Sequence, residues 1–256
     1  MAVFEEYSIL RDIALTFLAV TIAFTVEFAI YFLVEWYKKP ERKISDLRFA
    51  WSLFLISWAF NITFFIMSDF YTSGAEREFW IKLGYIALLS GLSVFSSIQE
   101  RALPWNTHNF FGLFGVSGVV VSIILPHSIL KYVAPFFYTP VFMILFVIFA
   151  LVIIRRSSGP LRIYALFLVV GFLIFLVGYG MTIDLAVETF GVISYTIGTI
   201  FLAIGVVIMS FGIMNIPSLG EWDWPTKILE VVLLHKNGQI LVHVKNTKKV
   251  VQEREE

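Results

Sequence analysis

Long apolar stretches separated by short polar ones fill residues 1–217 of the chain. A bilayer core needs about 20 mostly apolar residues per helix, and lipid leaves every backbone polar group to be satisfied within that helix. The pattern therefore predicts an all-α membrane protein, a bundle of seven transmembrane helices. The predicted spans are residues 12–37, 48–70, 79–100, 109–127, 133–154, 161–184 and 189–214.

Charge is distributed unevenly between the two ends of the predicted spans. Most of the 19 Lys and Arg residues follow the first, third and fifth spans or lie in the C-terminal tail, whereas at the other span ends eight Asp and Glu residues outnumber four Lys and Arg residues. Lys and Arg accumulate in the cytoplasmic loops of membrane proteins. We therefore predict an outside N-terminus and a cytoplasmic C-terminus, with 71–79 and 128–133 as the longest outer connections.

The overall composition agrees with a membrane protein and excludes several other classes. Hydrophobic residues make up 59% of the 256 residues, charged residues only 15%, and the mean hydropathy is +0.84. Such a chain is neither disordered nor an ordinary soluble enzyme, and its net charge of zero argues against nucleic-acid binding. The absence of Cys excludes disulfides and thiolate metal sites. The expected surroundings are the lipid bilayer of the plasma membrane, and no cofactor is expected.

Glu27 is the ionisable residue that lies near the centre of a predicted span. Asn61 of the second span and Ser90 of the third lie at a similar depth, so neighbouring spans would bring Glu27 to Asn61. A carboxyl group surrounded by hydrocarbon favours its neutral, protonated form. Glu27, Asn61 and Ser90 form the candidate intramembrane polar site. They act either as a proton or cation site or signalling switch, or as a hydrogen-bonded contact between helices.

Further polar and aromatic residues cluster at the outer ends of the spans. They either line a small polar pocket or anchor the helices at the membrane surface. These residues are Asp69, Tyr71, Trp80, His127, Tyr138, Tyr179 and Asp184.

The last predicted span carries a regular series of glycines, Gly191, Gly198, Gly205 and Gly212, each seven residues from the next. Small residues let membrane helices approach closely, and a period of seven keeps one seam facing a neighbour. The seam predicts close packing inside the bundle or, alternatively, a homodimer contact through the seventh span.

In the fourth span, Gly115-Val116-Ser117-Gly118 resembles the GxSG nucleophile motif of rhomboid intramembrane proteases. That family pairs the serine with a histidine on its sixth helix, whereas the sixth predicted span here has no histidine. A serine without a neighbouring base is not activated as a nucleophile. We therefore expect no enzymatic activity.

The tail, residues 218–256, differs from the bundle in composition. Asn237-Gly238 separates two apolar, β-branched runs, which predicts a β-hairpin over 228–245. In this register one face is apolar and carries Val231, Leu233, Val242 and Val244. A lone hairpin is marginally stable in water, so these residues are candidates for binding a cytoplasmic protein partner.

Seven helices followed by a cytoplasmic recognition element resemble, in architecture only, the seven-helix sensor modules of prokaryotic receptors. The resemblance implies a non-enzymatic receptor or sensor whose tail recruits a partner. Two alternatives remain open: a small ion-coupled transporter that uses Glu27, and an accessory subunit of a larger membrane complex.

Overall fold

The computed structural model describes residues 9–40, 42, 44, 46–101, 103, 106–156, 160–216, 230–234 and 240–245. The chain divides into two units, Met1–Ile216 and Pro217–Glu256. The first unit is helical, and π-helical turns at Met67–Tyr71 and Ala134–Tyr138 extend α2 and join α5 to α6. Its helices are α1 Ile9–Tyr37, α2 Leu47–Ile66, α3 Gly74–Glu100, α4 Phe110–Ile124, α5 His127–Val133, α6 Thr139–Arg156, α7 Pro160–Thr182, α8 Asp184–Phe190 and α9 Val192–Met214.

Within the described residues, six helical segments are long and apolar enough to cross a bilayer. The chain is therefore an integral membrane protein built as an apolar helical bundle. The segments are Ile9–Tyr37, Leu47–Tyr71, Gly74–Glu100, His127–Arg155, Leu161–Thr182 and Val192–Met214.

The fourth predicted span is shorter in the structure than in the sequence analysis. α4 has 15 residues, which is about 22 Å of helix. It ends at Ile124 because Pro126 disfavours the helical conformation of the residue before it, and Leu125 is extended with ψ 143°.

The two longest predicted outer connections are largely helical in the structure. α3 begins at Gly74, and the good helix formers Ala75, Glu76 and Arg77 occupy its first turn. α5 begins at His127, directly after Pro126. A further short helix, α8, lies between the sixth and seventh predicted spans.

Close backbone approach joins α7 to α9. A Cβ atom added at Gly205 would lie 2.6 Å from the backbone nitrogen of Phe175, and one added at Gly178 would lie 2.7 Å from the carbonyl oxygen of Gly198. Gly212 is similarly close to the backbone of Leu168. The glycines of α9 therefore pack against α7 of the same chain. α9 also contacts α1, α1 contacts α2, α2 contacts α3, and α3 contacts α4.

Gly191, the first glycine of the predicted seam, lies outside this contact. It precedes α9 with φ +77°, and a Cβ atom there would meet nothing within 4 Å. Its role is to turn the chain from α8 into α9. A homodimer contact of α9 stays a prediction, and it would use another face, because α7 covers Gly198, Gly205 and Gly212.

The second unit contains two antiparallel strands, β1 Glu230–Leu234 and β2 Ile240–Lys245. The register pairs Val231 with Val244 and Leu233 with Val242. An irregularity after Leu233 then pairs Leu234 with Ile240. The predicted Asn237-Gly238 turn lies outside the described residues.

Candidate functional site

Asp69 is a buried acidic residue in the π-helical turn that ends the second span, with 7% of its surface exposed. Its Oδ1 atom accepts hydrogen bonds from Ser68 Oγ at 3.0 Å and from Arg77 Nη2 at 3.2 Å. Its Oδ2 atom accepts one from the Tyr195 hydroxyl at 3.0 Å. Donors from α3 and α9 therefore converge on one carboxylate, as a buried charge requires.

Arg77 links this carboxylate to a second one. Its Nη2 atom lies 2.9 Å from Asp184 Oδ1, at the start of α8. The guanidinium side chain is 16% exposed, and its buried Nε atom has no hydrogen-bond partner among the described residues. One guanidinium thus stands between two carboxylates from different elements.

His127, the first residue of α5, completes what we call the charged cluster: Asp69, Arg77, His127 and Asp184. His127 Nε2 lies 3.6 Å from Asp184 Oδ2. Burial alone raises the pKa of Asp184, but the nearby imidazole of His127 and the guanidinium of Arg77 outweigh it and lower the pKa to about 2.

A cavity of about 40 Å³ lies beside the charged cluster. A site of this size holds roughly three water molecules or three non-hydrogen atoms of a ligand. Its walls are mainly aromatic and aliphatic. The lining residues are Leu18, Trp58, Asn61, Ile62, Phe65, Asp69, Ile81, Tyr85, Tyr179, Thr182, Ile183, Asp184, Tyr195 and Leu202.

Two lining residues have unused hydrogen-bonding capacity. Trp58 is 2% exposed, and its Nε1 donor has no partner among the described residues. Asn61 is 0% exposed; its Nδ2 atom donates to the Gly84 carbonyl oxygen at 2.9 Å, but its Oδ1 acceptor has no partner in the same part of the chain. Buried polar atoms are almost always hydrogen-bonded. A donor and an acceptor left over in one cavity indicate a small polar guest.

The structure separates the three residues of the predicted intramembrane polar site. Asn61 lines the cavity, Ser90 is half-buried on α3 outside it, and Glu27 is exposed on α1. The buried positions of α1 include Thr25 and Ala29, each two residues from Glu27. Two residues correspond to about 200° around a helix, so Glu27 points away from the bundle. Hydropathy indicated its depth but not its rotational position.

The structure brings together part of the predicted outer rim. Asp69, His127, Tyr179 and Asp184 belong to the charged cluster or the cavity. Tyr71 is 58% exposed. Outside the cavity, Trp80 is half-buried and stacks on Phe64, and Tyr138 packs against Phe114.

Sequence reasoning missed Arg77 and Tyr195. Arg77 was assigned to a connection between spans, and Tyr195 to the apolar body of the last span. The signal available for Arg77 was an uncompensated acidic residue, Asp69, eight positions earlier.

The opposite end of the bundle has a buried carboxylate of another kind. Glu100, 4% exposed at the end of α3, accepts a hydrogen bond from the backbone nitrogen of Gly112 at 2.7 Å and another from the Thr107 hydroxyl. Gly112 lies in the first turn of α4. Glu100 therefore caps α4, where a negative charge also interacts favourably with the helix dipole.

Among the described residues, the rhomboid-like serine has no base beside it. Ser117 Oγ donates to the Phe114 carbonyl oxygen at 2.7 Å and lies 3.3 Å from the Tyr138 hydroxyl. A neutral tyrosine hydroxyl is a poor general base, so these contacts do not resemble an activated nucleophile.

Among the described residues, no group of three His, Asp or Glu side chains is placed to hold a metal ion. Comparisons with known protein families, with curated proteins and with solved structures give no match to this chain. The charged cluster and the cavity are therefore the features from which a function can be inferred.

Proposed function

We propose that the protein is a non-enzymatic receptor or sensor of the plasma membrane that binds a small cation in the cavity beside Asp69. The observation that carries this proposal is the unused acceptor Asn61 Oδ1 in a cavity lined by two carboxylates, because an ammonium group donates hydrogen bonds and accepts none. Aromatic walls favour cations through their π faces, and the carboxylates of Asp69 and Asp184 in the cavity wall act in the same direction.

The size of the cavity restricts the ligand class. About three non-hydrogen atoms fit, which admits an ammonium or methylammonium ion but excludes a retinal or lipid-sized molecule. A ligand this small gains at most about 1.5 kcal/mol per non-hydrogen atom, so the expected Kd for methylammonium is no tighter than about 1–10 mM.

We propose the orientation that the basic residues favour, with the charged cluster outside and the tail in the cytoplasm. Opposite locations for the two ends require an odd number of crossings. α4 then supplies a seventh crossing beside the six long segments.

In this arrangement the tail recruits a cytoplasmic protein. The strand register, which places Val231 beside Val244 and Leu233 beside Val242, supports an apolar docking face. Exposed apolar strand pairs bind partners by packing or by strand addition.

The test measures methylammonium binding to the purified full chain in nanodiscs, by isothermal titration calorimetry and by thermal unfolding. We expect stabilisation by millimolar methylammonium and none by tetramethylammonium, which is too large. Trp58→Phe should weaken binding, because a phenyl ring attracts a cation less strongly than an indole ring, whereas Trp51→Phe should not. Trp51 is 1% exposed and has an equally unpartnered Nε1, but it does not line this cavity. Equal effects of both ions would exclude a defined site.

A carrier is distinguished from a sensor by flux. The transporter hypothesis based on Glu27 loses its geometric support, because Glu27 lies on the exposed face of α1 and does not line the cavity. Uptake of labelled methylammonium into proteoliposomes would nevertheless overturn the sensor proposal in favour of a carrier that uses the cavity.

A further inference from the structure

Glu27 is an acidic residue on the exposed side of a membrane-spanning helix. α1 contacts α2 and α9, and its buried positions are Ala14, Leu18, Thr21, Thr25, Ala29 and Phe32. Glu27 lies on the other side, and none of the described residues forms a hydrogen bond or ion pair with its carboxylate. By contrast, Glu35 nearer the end of α1 pairs with Lys38 and Arg48.

The depth of Glu27 makes this exposure costly. It lies ten residues before Tyr37, the end of α1, which corresponds to about 15 Å of helix and hence to the middle of a 30 Å hydrocarbon core. Ionisable residues at this depth almost always face other protein groups. A carboxylate also lacks the long stem that lets Lys and Arg reach the membrane surface.

The surface around Glu27 has the composition of a helix–helix contact. Thr16, Ala19 and Ala23 are exposed on the same side of α1 and continue to Glu27 at intervals of three and four residues. Bulkier exposed side chains, among them Val20 and Tyr31, flank this line. Small residues between larger ones permit a second helix to approach the backbone of α1 closely. We call Thr16, Ala19, Ala23 and Glu27 the α1 face.

Charge distinguishes two possible occupants of the α1 face. In a twofold dimer of this face Glu27 would meet Glu27, and because two ionised carboxylates repel, at least one of them would have to be protonated. Within the described part of the chain, the exposed Lys and Arg residues lie near the ends of the spans, so a second copy offers no countercharge at mid-depth.

We propose that the α1 face binds a transmembrane helix of another protein that carries a Lys or Arg near the membrane centre. The small residues allow the approach, and Glu27 neutralises the partner's charge. Glu27 does not line the cavity, so the proposal does not rest on a ligand bound there.

The experiment measures energy transfer in proteoliposomes between the full chain and a synthetic leucine–alanine helix with one central Lys. The chain has no Cys, so a single cysteine at the exposed Lys38 can carry the donor dye. We expect the Lys helix to bind about tenfold more tightly than a helix with a central Leu. This ratio corresponds to one interhelical polar contact near the upper end of the energies known for such contacts in membranes.

Two variants test whether binding of the Lys helix depends on the α1 face. Glu27→Leu should abolish the preference for the Lys helix, and Ala23→Leu should weaken binding while retaining the charge. Val207→Leu, at an exposed position of α9, is the matched control and should behave like the wild type. Equal binding of the Lys and Leu helices would overturn the proposal. Energy transfer between two copies of the chain that depends on Glu27 would overturn it in favour of a homodimer.

Discussion

Asp69 and Glu100 are both buried carboxylates at the ends of membrane-spanning helices, but their charges are compensated differently. Glu100 is satisfied locally by Gly112, twelve residues away, through a backbone cap. Asp69 is satisfied by Arg77 and by Tyr195, which is 126 residues away. The first arrangement joins two consecutive helices, whereas the second joins elements from across the whole bundle.

The contrast shows that burial of a charge does not by itself indicate function. Around Glu100 both carboxylate oxygens accept a hydrogen bond, and the result is a structural cap. Asp69 itself lines a cavity that contains unpartnered polar atoms. A second cavity, of about 30 Å³, also contains unpartnered donors, Trp51 Nε1 and Gln99 Nε2, but no carboxylate of the described residues lines it. A carboxylate in the wall of a cavity, and not unused hydrogen-bonding capacity alone, is therefore the feature that separates a candidate site from a structural contact.

The largest expected effect comes from Arg77→Met, which leaves Asp69 and Asp184 facing each other without a countercharge. Breaking a buried ion pair by removing one partner costs about 3–5 kcal/mol, so the free energy of unfolding in detergent should fall by that amount. Arg101→Met is the control at the Glu100 end; Arg101 is exposed, and little change is expected. Equal losses in both variants would erase the distinction between the two ends.

Tyr195→Phe should have the next largest effect. It removes the hydroxyl that donates to Asp69 Oδ2 while keeping the ring. Hydrogen bonds to charged groups contribute about 1.5–3 kcal/mol, and denaturant titration should detect that loss. Tyr71→Phe, at a residue 58% exposed, is the matched control. An unchanged unfolding midpoint for Tyr195→Phe would mean that α9 does not stabilise the cluster.

Acid should destabilise the charged cluster through Asp184. Its pKa in the folded protein, about 2, lies below the ordinary value of 3.8, so its stabilising contribution is present above that value and is lost as the pH falls through 2. Asp184 faces Arg77 and His127. The difference in unfolding free energy between wild type and Asp184→Asn should shrink from about 1–2 kcal/mol near neutral pH toward zero in acid.

The control for this titration is Glu188→Gln, on the same short helix. The Glu188 side chain is 58% exposed and pairs with Lys131 outside the cluster. Its removal should leave the acid dependence unchanged. A pH-independent difference for Asp184→Asn would show that the charge of Asp184 does not contribute.

The smallest effect is expected for Glu100→Gln. The amide oxygen can still accept the hydrogen bond from Gly112, and the Thr107 hydroxyl can turn to accept one from the amide nitrogen. The main loss is then the charge at the start of α4, worth about 0.3–1 kcal/mol. Thermal unfolding measures this change, with the exposed Glu78→Gln as control. A loss as large as that of Arg77→Met would mean that Glu100 is more than a cap.

The sequence predicts the positions of the membrane spans, which depend on hydropathy. It does not predict which side of a helix faces the bundle or which distant residues are in contact. Six of the predicted spans have the required length in the structure, because a run of apolar residues determines a span. Glu27 is predicted to meet Asn61 because both lie at a similar depth, but depth along a helix does not reveal which side of the helix a residue occupies. The direction of α1 could have been inferred from Thr21 and Thr25, small polar residues four apart that are both buried.

The candidate site could be predicted only in part. Asp69, His127 and Asp184 were recognised as residues of one membrane surface, since charge and position along the chain suffice for that. That Arg77 bridges Asp69 and Asp184 could not be inferred, because the contact spans 107 residues and follows from how α3 and α8 pack. Unused donors and acceptors exist only in three dimensions.

The shortness of α4 has a consequence for the surrounding lipid. As a crossing helix of about 22 Å it would leave a hydrophobic mismatch of roughly 8 Å, which the bilayer accommodates by thinning beside it. Its exposed Val116, Val120 and Ile123 indicate which side of the protein would deform the leaflets. Thin membranes, or thin patches within a thicker one, should therefore attract this protein.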